Sequence, residues 1–512
     1  MDMDKRTLLA VVLALIVIVG SQYFFTQSTP PPPAQPQKSE AKPEPPVTGT
    51  PAPPASPVVP STTEESTPSK DIRIETQLYV AVFSSKGGTI KQFDLKAYKE
   101  KDGNPVSLLK VPGAYPPLGL GEKEDFSLSK VNFAVRGADL GLRGSETGTL
   151  SFEYIQPPIS IRRTYTFYAD RYKFDLRDDI QGLPGYWITL GADFGMYDIK
   201  DSSAPHLGPV ILKDTDRIEL ETKKLGEPKT YKDGIRWIAE EDKYFFSSIV
   251  PLDQPQVIEA KAWKVQDSPL IALQMKPGAN TFIVYAGPKE YNRLQGLNVG
   301  LEHVIDFGFF SILARPLFWI LKFFYRFLGN YGWAIVLLTI IVRIPFIPLI
   351  NKSQKSMKKM QELQPRLTEL RERHKNDPQK MQKETLEMYK KYKVNPMGGC
   401  LPMLLQIPVF FALYKVLMIA IELRGAPFML WVTDLSAKDP YYILPIVMGI
   451  TMVIQQKMTP TSLDPKQNKI MMLMPVIFTF MFLNFASGLV LYWLVNNVLT
   501  IAQQYITNRK LR

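Results

Sequence analysis

The pattern of apolar and polar positions divides the chain into parts of different character. Between residues 71 and 290, apolar and polar side chains alternate in short runs separated by Gly, Pro and Asp, as in LYVAVF, GTIKQFDL, GTLSFEY and NTFIVYAG. After residue 291 the apolar runs become long enough for helices that lie in or on a membrane. The pattern therefore predicts a β-rich domain followed by a helical membrane domain.

The clearest two-residue period lies in RRTYTFYADRYKFDLRDD. Its apolar positions alternate with threonine or charged residues on both sides of a turn at residues 169–171: Tyr165, Phe167, Tyr172, Phe174 and Leu176. Such alternation predicts a hairpin with one buried face. With the neighbouring runs it predicts an antiparallel β-sandwich over residues 71–290.

Three adjacent acids, Glu240, Glu241 and Asp242, are the one candidate for chemistry in this domain. Paired carboxylates are the groups that glycosidases use. Adjacent acids in a sequence, however, usually lie on a solvated surface. We therefore expect a surface run here rather than a catalytic site.

The amino-terminal residues 1–27 contain a run long enough to cross a bilayer, TLLAVVLALIVIVGSQYFF. A cleaved signal peptide would need a shorter apolar core and a small-residue cleavage site, whereas this run ends in aromatic residues typical of a membrane interface. We predict an uncleaved signal anchor, with Lys5 and Arg6 holding its start in the cytoplasm. Residues 28–70, which contain fourteen of the 43 prolines, predict a disordered spacer.

One long apolar run, residues 331–350, contains a charge. It reads YGWAIVLLTIIVRIPFIPLI and is apolar apart from Arg343 and Thr339. A cation about 12 Å inside a span costs on the order of 3 kcal/mol unless it meets water, a partner or a headgroup. Two interpretations are open from this run alone. Arg343 extends to the nearby interface, or it faces a water-filled cavity and acts there.

Charged segments flank this run. Residues 291–330 include FFSILARPLFWILKFFYRFLG, whose three cations and proline predict an amphipathic helix in the membrane interface. Residues 352–393 carry thirteen Lys/Arg against six Asp/Glu, with an apolar stripe at helical spacing. Asp377 and Pro378 supply a cap and a first-turn proline. We expect a helical hairpin whose basic outer face is either solvated or in contact with phosphates.

Four more apolar segments predict spans at residues 401–423, 441–456, 470–485 and 489–507. Two are shorter than usual for a span, which implies a thinned bilayer or a shared hairpin. By the positive-inside rule the hairpin and both termini are cytoplasmic, the β domain lies on the other side, and six spans satisfy every loop. Lys415 lies within one span, and an ammonium extended outward explains it without a function.

Composition narrows the function classes. The single cysteine, Cys400, excludes an intrachain disulfide and a cysteine cluster, and the three histidines are scattered, so we expect no metal and no cofactor. The net charge of +12 is concentrated beside the predicted spans, so we expect no specific nucleic-acid partner. No Gly-Lys-Ser/Thr phosphate loop is present, which argues against ATP as an energy source.

Four later runs carry a resemblance to a known family. They are KVNPMGGCLPMLLQIPVFFALYKVL, APFMLWVTDLSAKDPYYILPIVMG, QQKMTPTSLDPKQNKIMMLMPVIFTFMF and SGLVLYWLVNNVLTIAQQ. With Arg343 placed as it is, they resemble the YidC family of membrane protein insertases of Gram-negative bacteria, part of the wider YidC/Oxa/Alb group. The resemblance covers the whole predicted architecture, including the anchor and the large periplasmic domain.

The resemblance implies an insertase core, residues 331–512, with five membrane helices around a hydrophilic groove. This groove is open to the cytoplasm and the lipid and closed on the periplasmic side. Arg343 matches the family's groove arginine, Thr339 a groove polar position and Trp493 a groove-lining aromatic. Gln406 and Asn496 add polar side chains to this lining. A further set offers an adaptable slide for the departing helix, with lipid-facing or interhelix packing as the alternative for each: Met471, Met474, Phe478 and Phe482.

The implied function is insertion, folding and assembly of inner-membrane proteins, alone or with the Sec translocon (SecYEG and SecDF), without an enzymatic reaction. The implied partners are nascent membrane proteins and bilayer lipids. We expect only weak ribosome binding, because NRKLR at residues 508–512 is short compared with the basic tails of some relatives. Two other classes of protein are the alternatives. A secondary transporter would show paired intramembrane charges and inverted repeats, and an envelope polysaccharide-modifying protein would carry its chemistry in a sugar-binding-like periplasmic domain.

Overall fold

The computed structural model describes residues 69–510, except 101, 111–114, 198–203, 267, 375–376, 393, 395–400 and 460–464. The expected signal anchor at residues 1–27 and all but the end of the proline-rich spacer at 28–70 lie outside the described residues. Everything below belongs to one unit, Lys70–Arg512.

The first half of this unit is built from strands. In chain order they are β1 Asp71–Glu75, β2 Tyr79–Ser84, β3 Thr89–Lys99, β4 Pro105–Ser107, β5 Leu120–Gly121, β6 Ala134–Arg136, β7 Leu140–Gly141, β8 Thr147–Gln156, β9 Ile159–Tyr168, β10 Lys173–Gln181, β11 Tyr186–Thr189, β12 Gly208–Lys213, β13 Asp216–Glu219, β14 Lys229–Lys232, β15 Ile235–Glu241, β16 Phe245–Pro251, β17 Val257–Val265, β18 Ser268–Met275 and β19 Gly278–Pro288.

These strands form three sheets. Their orders are β4-β3-β2-β1-β7, β13-β12-β15-β16-β19-β10-β9-β8-β6 and β14-β17-β18-β11-β5. The expected hairpin is confirmed as β9 and β10, with Tyr165 opposite Leu176 and Phe167 opposite Phe174, all four fully buried. One pair departs from the antiparallel expectation, because β1 runs parallel to β7. A long connection separates these two strands, so no hairpin turn dictates their relative direction.

Aromatic side chains join the first sheet to the nine-stranded sheet. The ring of Phe83 in β2 lies edge-on to those of Tyr165, Phe167 and Phe174, at centroid distances of 4.9, 5.3 and 6.0 Å. Edge-to-face contacts of this kind add to the free energy gained from burying the rings. The packed faces give the sandwich-like arrangement that the period-two pattern predicts.

A buried ion pair lies at the same junction. Arg163 and Asp178 on β9 and β10 are both fully buried, and two guanidinium nitrogens donate to the carboxylate at 2.8 and 3.2 Å. A third nitrogen donates to the carbonyl oxygens of Leu118 at 2.6 Å and Gly87 at 3.2 Å. Arg163 therefore connects the nine-stranded sheet to the loops that contain Gly87 and Leu118, which are distant in sequence.

The second half is helical. Its helices are α1 Tyr291–Gln295, α2 Ser311–Leu328, α3 Tyr331–Arg343, α4 Ile347–Glu362, α5 Gln364–Arg373, α6 Pro378–Lys391, α7 Leu401–Ile419, α8 Ile443–Met458, α9 Pro465–Phe482 and α10 Ser487–Lys510. By length and composition, one helical run among the described residues could cross a membrane, Tyr331–Glu362. Three shorter apolar helices accompany it, Gln406–Ile419, Ile443–Met458 and Met472–Phe482.

The run that contains Arg343 extends beyond the predicted end at residue 350. α3 is capped by Asn330, whose side chain accepts a hydrogen bond from the backbone nitrogen of Trp333 at 3.1 Å. A short 3₁₀ turn, Ile344–Phe346, follows Arg343, and α4 then continues to Glu362. The prolines Pro345 and Pro348 lack the amide hydrogen that an uninterrupted helix would use, which accounts for the turn.

The helix α2, which the sequence predicts to be interfacial, has a buried and an open side. On α2, Leu321 is buried while Ile312 and Phe327 are 83% and 70% exposed. α5 and α6 follow α4, with Leu367 buried. The Asp377 side chain accepts from the backbone nitrogen of Lys380 at 3.0 Å and caps α6.

Candidate functional site

A small pocket lies where α3, α4, α7 and α10 meet. Its lining combines apolar walls with a few polar groups: Thr339, Val342, Arg343, Phe346, Ile350, Gln406, Val409, Tyr492 and Asn496. The structure therefore brings together four of the five groove residues expected from the sequence.

Arg343 is the charged group of this pocket. It occupies the last position of α3 and is 8% exposed. Its Nη1 donates to the side-chain oxygen of Asn496 at 2.7 Å and to the backbone oxygen of the same residue at 3.1 Å. Its Nε and Nη2 donate to Oε1 of Gln503 at 3.4 and 3.1 Å. All these acceptors are neutral.

Gln503 is a residue that sequence reasoning missed. It lies seven positions after Asn496, which places both on one face of α10. That spacing could have identified it within the run NNVLTIAQQ. The neighbouring pair Asn497 and Gln504 faces α8 instead, where Asn497 donates to Thr451 at 3.2 Å and Gln504 donates to Thr459 at 3.2 Å.

The other polar lining residues contribute less. The Thr339 hydroxyl, 3% exposed, donates to the Ile335 backbone oxygen of its own helix at 2.7 Å. Its hydrogen-bonding capacity is therefore partly used within α3. Gln406 lies on the α7 wall. The described pocket thus has one cation and several neutral dipoles, an arrangement that can hold a polar or anionic segment.

Trp493 does not line the pocket. Its ring contacts those of Phe410, Phe482 and Phe478 at centroid distances of 4.9, 5.2 and 6.0 Å. It therefore belongs to an aromatic cluster between α7, α9 and α10.

The suggested slide residues lie in different surroundings on α9. Phe482 is 2% exposed and packs in this aromatic cluster, while Phe478 and Met474 are half-buried. The side chain of Met471 lies outside the described side chains. The open face of α9 carries other apolar residues: Met472, Leu473, Val476, Ile477, Phe480 and Met481.

The acidic run in the β domain is buried, so the expectation of a solvated surface was wrong. Glu240, Glu241 and Asp242 are at most 3% exposed. Glu241 pairs with Arg217 and, at 2.8 Å, with Lys289. Burial opposes its ionisation, but these two cations hold its pKa below the ordinary value. The reason for burial is position, because β15 lies inside the nine-stranded sheet and both its faces are covered.

Glu240 has a different environment. It is fully buried, and neither carboxylate oxygen has a hydrogen-bond partner among the described residues. Burial, and then the nearby Asp193, raise the pKa of Glu240 well above its ordinary value. Its surroundings therefore favour the protonated carboxyl over the carboxylate. In the part of the chain that the structure describes, no three His, Cys, Asp or Glu side chains are placed to hold a metal ion.

Comparisons with known proteins cover nearly all of the described residues. The YidC periplasmic domain family matches residues 71–320, and the 60Kd inner membrane protein family matches residues 323–512. Proteins described as membrane protein insertase YidC in Geotalea uraniireducens (strain Rf4) and Geotalea daltonii (strain DSM 22248) are 42% and 41% identical to this chain. These matches cover 86% and 99% of this chain and 87% and 100% of the relatives.

A crystal structure of an active YidC insertase aligns with 86% of this chain and 93% of that chain, at 20% identity and a TM-score of 0.40. The identities to the two insertases extend through both the β domain and the helical half that contains the Arg343 pocket. The chain belongs to the YidC family of membrane protein insertases.

Proposed function

We propose that this chain inserts inner-membrane proteins and helps them to fold and assemble by receiving a short polar segment in the Arg343 pocket. The observation that carries the proposal is the state of Arg343. Its guanidinium is nearly buried, borders the pocket, and has only neutral acceptors, Asn496 and Gln503, among the described residues. No carboxylate among these residues forms an ion pair with it.

The barrier to insertion is desolvation. A segment that crosses the apolar layer must leave water with its backbone groups and charges, and each unsatisfied group costs several kcal/mol. A polar pocket part of the way across shortens the dry path. Asn496, Gln406 and Thr339 supply dipoles there, and Arg343 supplies a charge that acts strongly in a medium of low dielectric constant.

The energy for release comes from the substrate itself. Once the polar segment has crossed, the apolar helix of the substrate gains free energy by entering lipid. The half-buried side chains of Met474 and Phe478 on α9 offer an adaptable path, and the Phe478 ring contacts that of Trp493. Met471 and Phe482 complete the proposed slide, with Phe482 reached only when the aromatic cluster opens. No covalent reaction is required.

The proposed topology follows from charge. A signal anchor at residues 1–27, a spacer at 28–70, a periplasmic β domain at 71–290 and an interfacial segment at 291–330 precede the insertase core at 331–512. Six spans, with both termini and the basic hairpin at 352–393 cytoplasmic, agree with the positive-inside rule. This arrangement would open the Arg343 pocket towards the cytoplasm and the lipid and close it on the periplasmic side.

The proposed partners are nascent membrane proteins, bilayer lipids and, for larger substrates, the Sec translocon with SecYEG and SecDF. Ribosome contact would be weak and would use the basic hairpin. Among these partners, the nascent segment is the one for which the pocket has a matched chemical group, the Arg343 guanidinium.

The test is insertion of a small phage coat-type protein with an acidic translocated segment, in cells depleted of their own insertase. The cells receive wild type, Arg343→Ala, Arg343→Lys or the control Asn497→Ala, whose side chain faces α8 rather than the pocket. Protease accessibility of the translocated segment measures insertion, normalised to the amount of each variant in the membrane.

We expect wild type, Arg343→Lys and Asn497→Ala to support insertion and Arg343→Ala to lose it. Full insertion with Arg343→Ala would show that the positive charge of Arg343 is not needed for insertion. Failure of the wild type at normal levels would contradict the insertase function itself.

A further inference from the structure

The side chain of Gln503 is held from both ends. Its Oε1 accepts two hydrogen bonds from the Arg343 guanidinium, at 3.1 and 3.4 Å. Its Nε2 donates to the Asn351 side-chain oxygen at 2.9 Å and to the Ile347 backbone oxygen at 3.3 Å. Asn351 also accepts from the Thr507 hydroxyl at 3.3 Å. α10 and α4 therefore share a polar track that ends at Arg343.

The orientation of the Gln503 amide follows from these partners. A guanidinium has only donors, so the group that faces it must be an acceptor. A backbone carbonyl has only lone pairs, so the group that faces Ile347 must be a donor. An amide satisfies both sides at once, whereas a carboxylate would satisfy Arg343 but would turn an oxygen towards the Ile347 carbonyl.

The choice of an amide has an electrostatic consequence. Asn496 and Gln503 fix the position of the guanidinium through dipoles, and dipoles leave its full positive charge in place. A carboxylate at either position would form an internal ion pair and cancel that charge. The Arg343 guanidinium is thus held in a fixed position, and no carboxylate among the described residues neutralises its charge.

We propose that Gln503 is a specificity-determining residue of the pocket, because its neutral amide positions Arg343 while keeping its charge available to an acidic residue of the arriving segment. The proposal rests on the proposed function. It adds that the preference for acidic segments depends on an uncharged residue of α10 as well as on Arg343. The arriving carboxylate takes the place of one amide oxygen at the guanidinium, and Gln503 resumes its contact when the segment leaves.

The charge-changing variant is Gln503→Glu, which keeps the size of the side chain. The variant Gln503→Leu removes the contact but adds no charge. The control is Gln504→Glu, the same amide-to-acid change at the next position, where the side chain donates to Thr459 just after α8 rather than contacting Arg343. Arg343→Ala is assayed together with these variants in every insertion experiment.

Each variant is tested in insertase-depleted cells with two probes that share one apolar helix. The translocated segment of the first probe carries aspartates, and in the second they are replaced by asparagines. Insertion rates are normalised to variant levels, and the unfolding midpoint of each purified full-length variant in detergent reports whether it is folded.

We expect Gln503→Glu to slow insertion of the acidic probe about tenfold or more, because a full charge is neutralised in a partly buried site. The neutral probe should be slowed much less than the acidic probe, and the unfolding midpoint should not fall. Gln503→Leu should keep the preference for the acidic probe over the neutral probe, and Gln504→Glu should affect both probes equally.

Wild-type insertion of the acidic probe by Gln503→Glu would overturn the proposal, as would equal losses with both probes. In either case, loss of insertion with Arg343→Ala would leave the proposed function standing. If Arg343→Ala inserts the acidic probe normally, the role that the proposed function gives to the Arg343 charge is contradicted, whatever the results for the Gln503 variants.

Discussion

Lys415 on α7 and Asp306 before α2 form an ion pair, with 3.2 Å between Nζ and Oδ2. The lysine side chain is 6% exposed and the aspartate side chain 41%. Lys415 is therefore held by a residue of the segment that follows the β domain, rather than extended alone to the interface. Burial opposes ionisation of Asp306, but Lys415 and Arg217 hold its pKa below the ordinary value.

Asp306→Asn should destabilise the protein more than Lys415→Met. The first change removes a carboxylate from a buried ammonium, whereas the second leaves a half-exposed carboxylate that still has Arg217 nearby. We expect a loss of about 1–3 kcal/mol for Asp306→Asn, since water screens part of the pair. The unfolding midpoint of the full chain in detergent measures it, and the double variant should be more stable than Asp306→Asn. Equal midpoints for all variants would show that the pair contributes nothing.

Some features of the fold and of the pocket can be predicted from the sequence because neighbouring residues determine them. The β9–β10 hairpin follows from alternation over adjacent strands, and the Asp377 cap follows from three consecutive residues. Arg343 and Asn496 stand out because polar groups in apolar runs are rare. Each of these features has its whole signal within a few positions of the chain.

The rest depends on contacts between distant segments. Glu241 stays charged while buried because Arg217 and Lys289, from other parts of the chain, pair with it. The partner of Lys415 is more than a hundred positions away along the chain. The place of Phe482 in an aromatic cluster rather than on an open surface depends on how α9 packs against α10. No periodicity within one element carries this information.

Glu240→Gln should stabilise the β domain at neutral pH. An acid whose pKa is raised by folding contributes fully to stability below its unfolded pKa, and that contribution is lost as the pH rises towards the folded pKa. For Glu240 the loss begins near the ordinary value of about 4.5. The amide does not titrate, so the gain in the variant should grow from pH 4 to pH 7.

Amide hydrogen exchange of β15 and β16 in the intact protein measures this effect. Glu227→Gln is the control, because Glu227 lies on the exposed surface of the same domain. A gain for Glu240→Gln that is the same at pH 4 and pH 7 would contradict a titrating Glu240.

Arg163→Met should destabilise the β domain severely. The change leaves the fully buried Asp178 without its cation and the carbonyls of Gly87 and Leu118 without a donor. We expect a loss of about 3–5 kcal/mol, the range for breaking a buried pair. Arg162→Met is the matched control, because Arg162 is 60% exposed and pairs with Glu153 at 2.8 Å, a contact typically worth below about 1 kcal/mol.

Limited proteolysis of the β domain in the intact protein measures both variants. Arg163→Met combined with Asp178→Leu should recover part of the loss, because no charge then remains buried. A proteolysis rate for Arg163→Met equal to that of Arg162→Met would show that the buried pair is not needed for stability.

Gly449→Ala should separate α8 from α9. A Cβ at Gly449 would lie 2.1 Å from the Thr479 hydroxyl oxygen and 3.2 Å from the Thr479 Cβ. The hydroxyl cannot turn away freely, since it donates to the Pro475 backbone oxygen at 2.7 Å. We expect a loss of about 1–3 kcal/mol, as for other overpacked sites.

Thr479→Ala removes the obstructing hydroxyl and provides the second arm of a double-mutant cycle. Combined with Gly449→Ala, it should restore most of the unfolding midpoint, because the new methyl group then fills the space that the hydroxyl occupied. Insertion of the acidic probe should follow the same order if the contact between α8 and α9 supports the path beside Trp493. Additive losses in the midpoint would mean that Gly449 and Thr479 are not in close contact, and the reason for a glycine at this position would then lie elsewhere in α8.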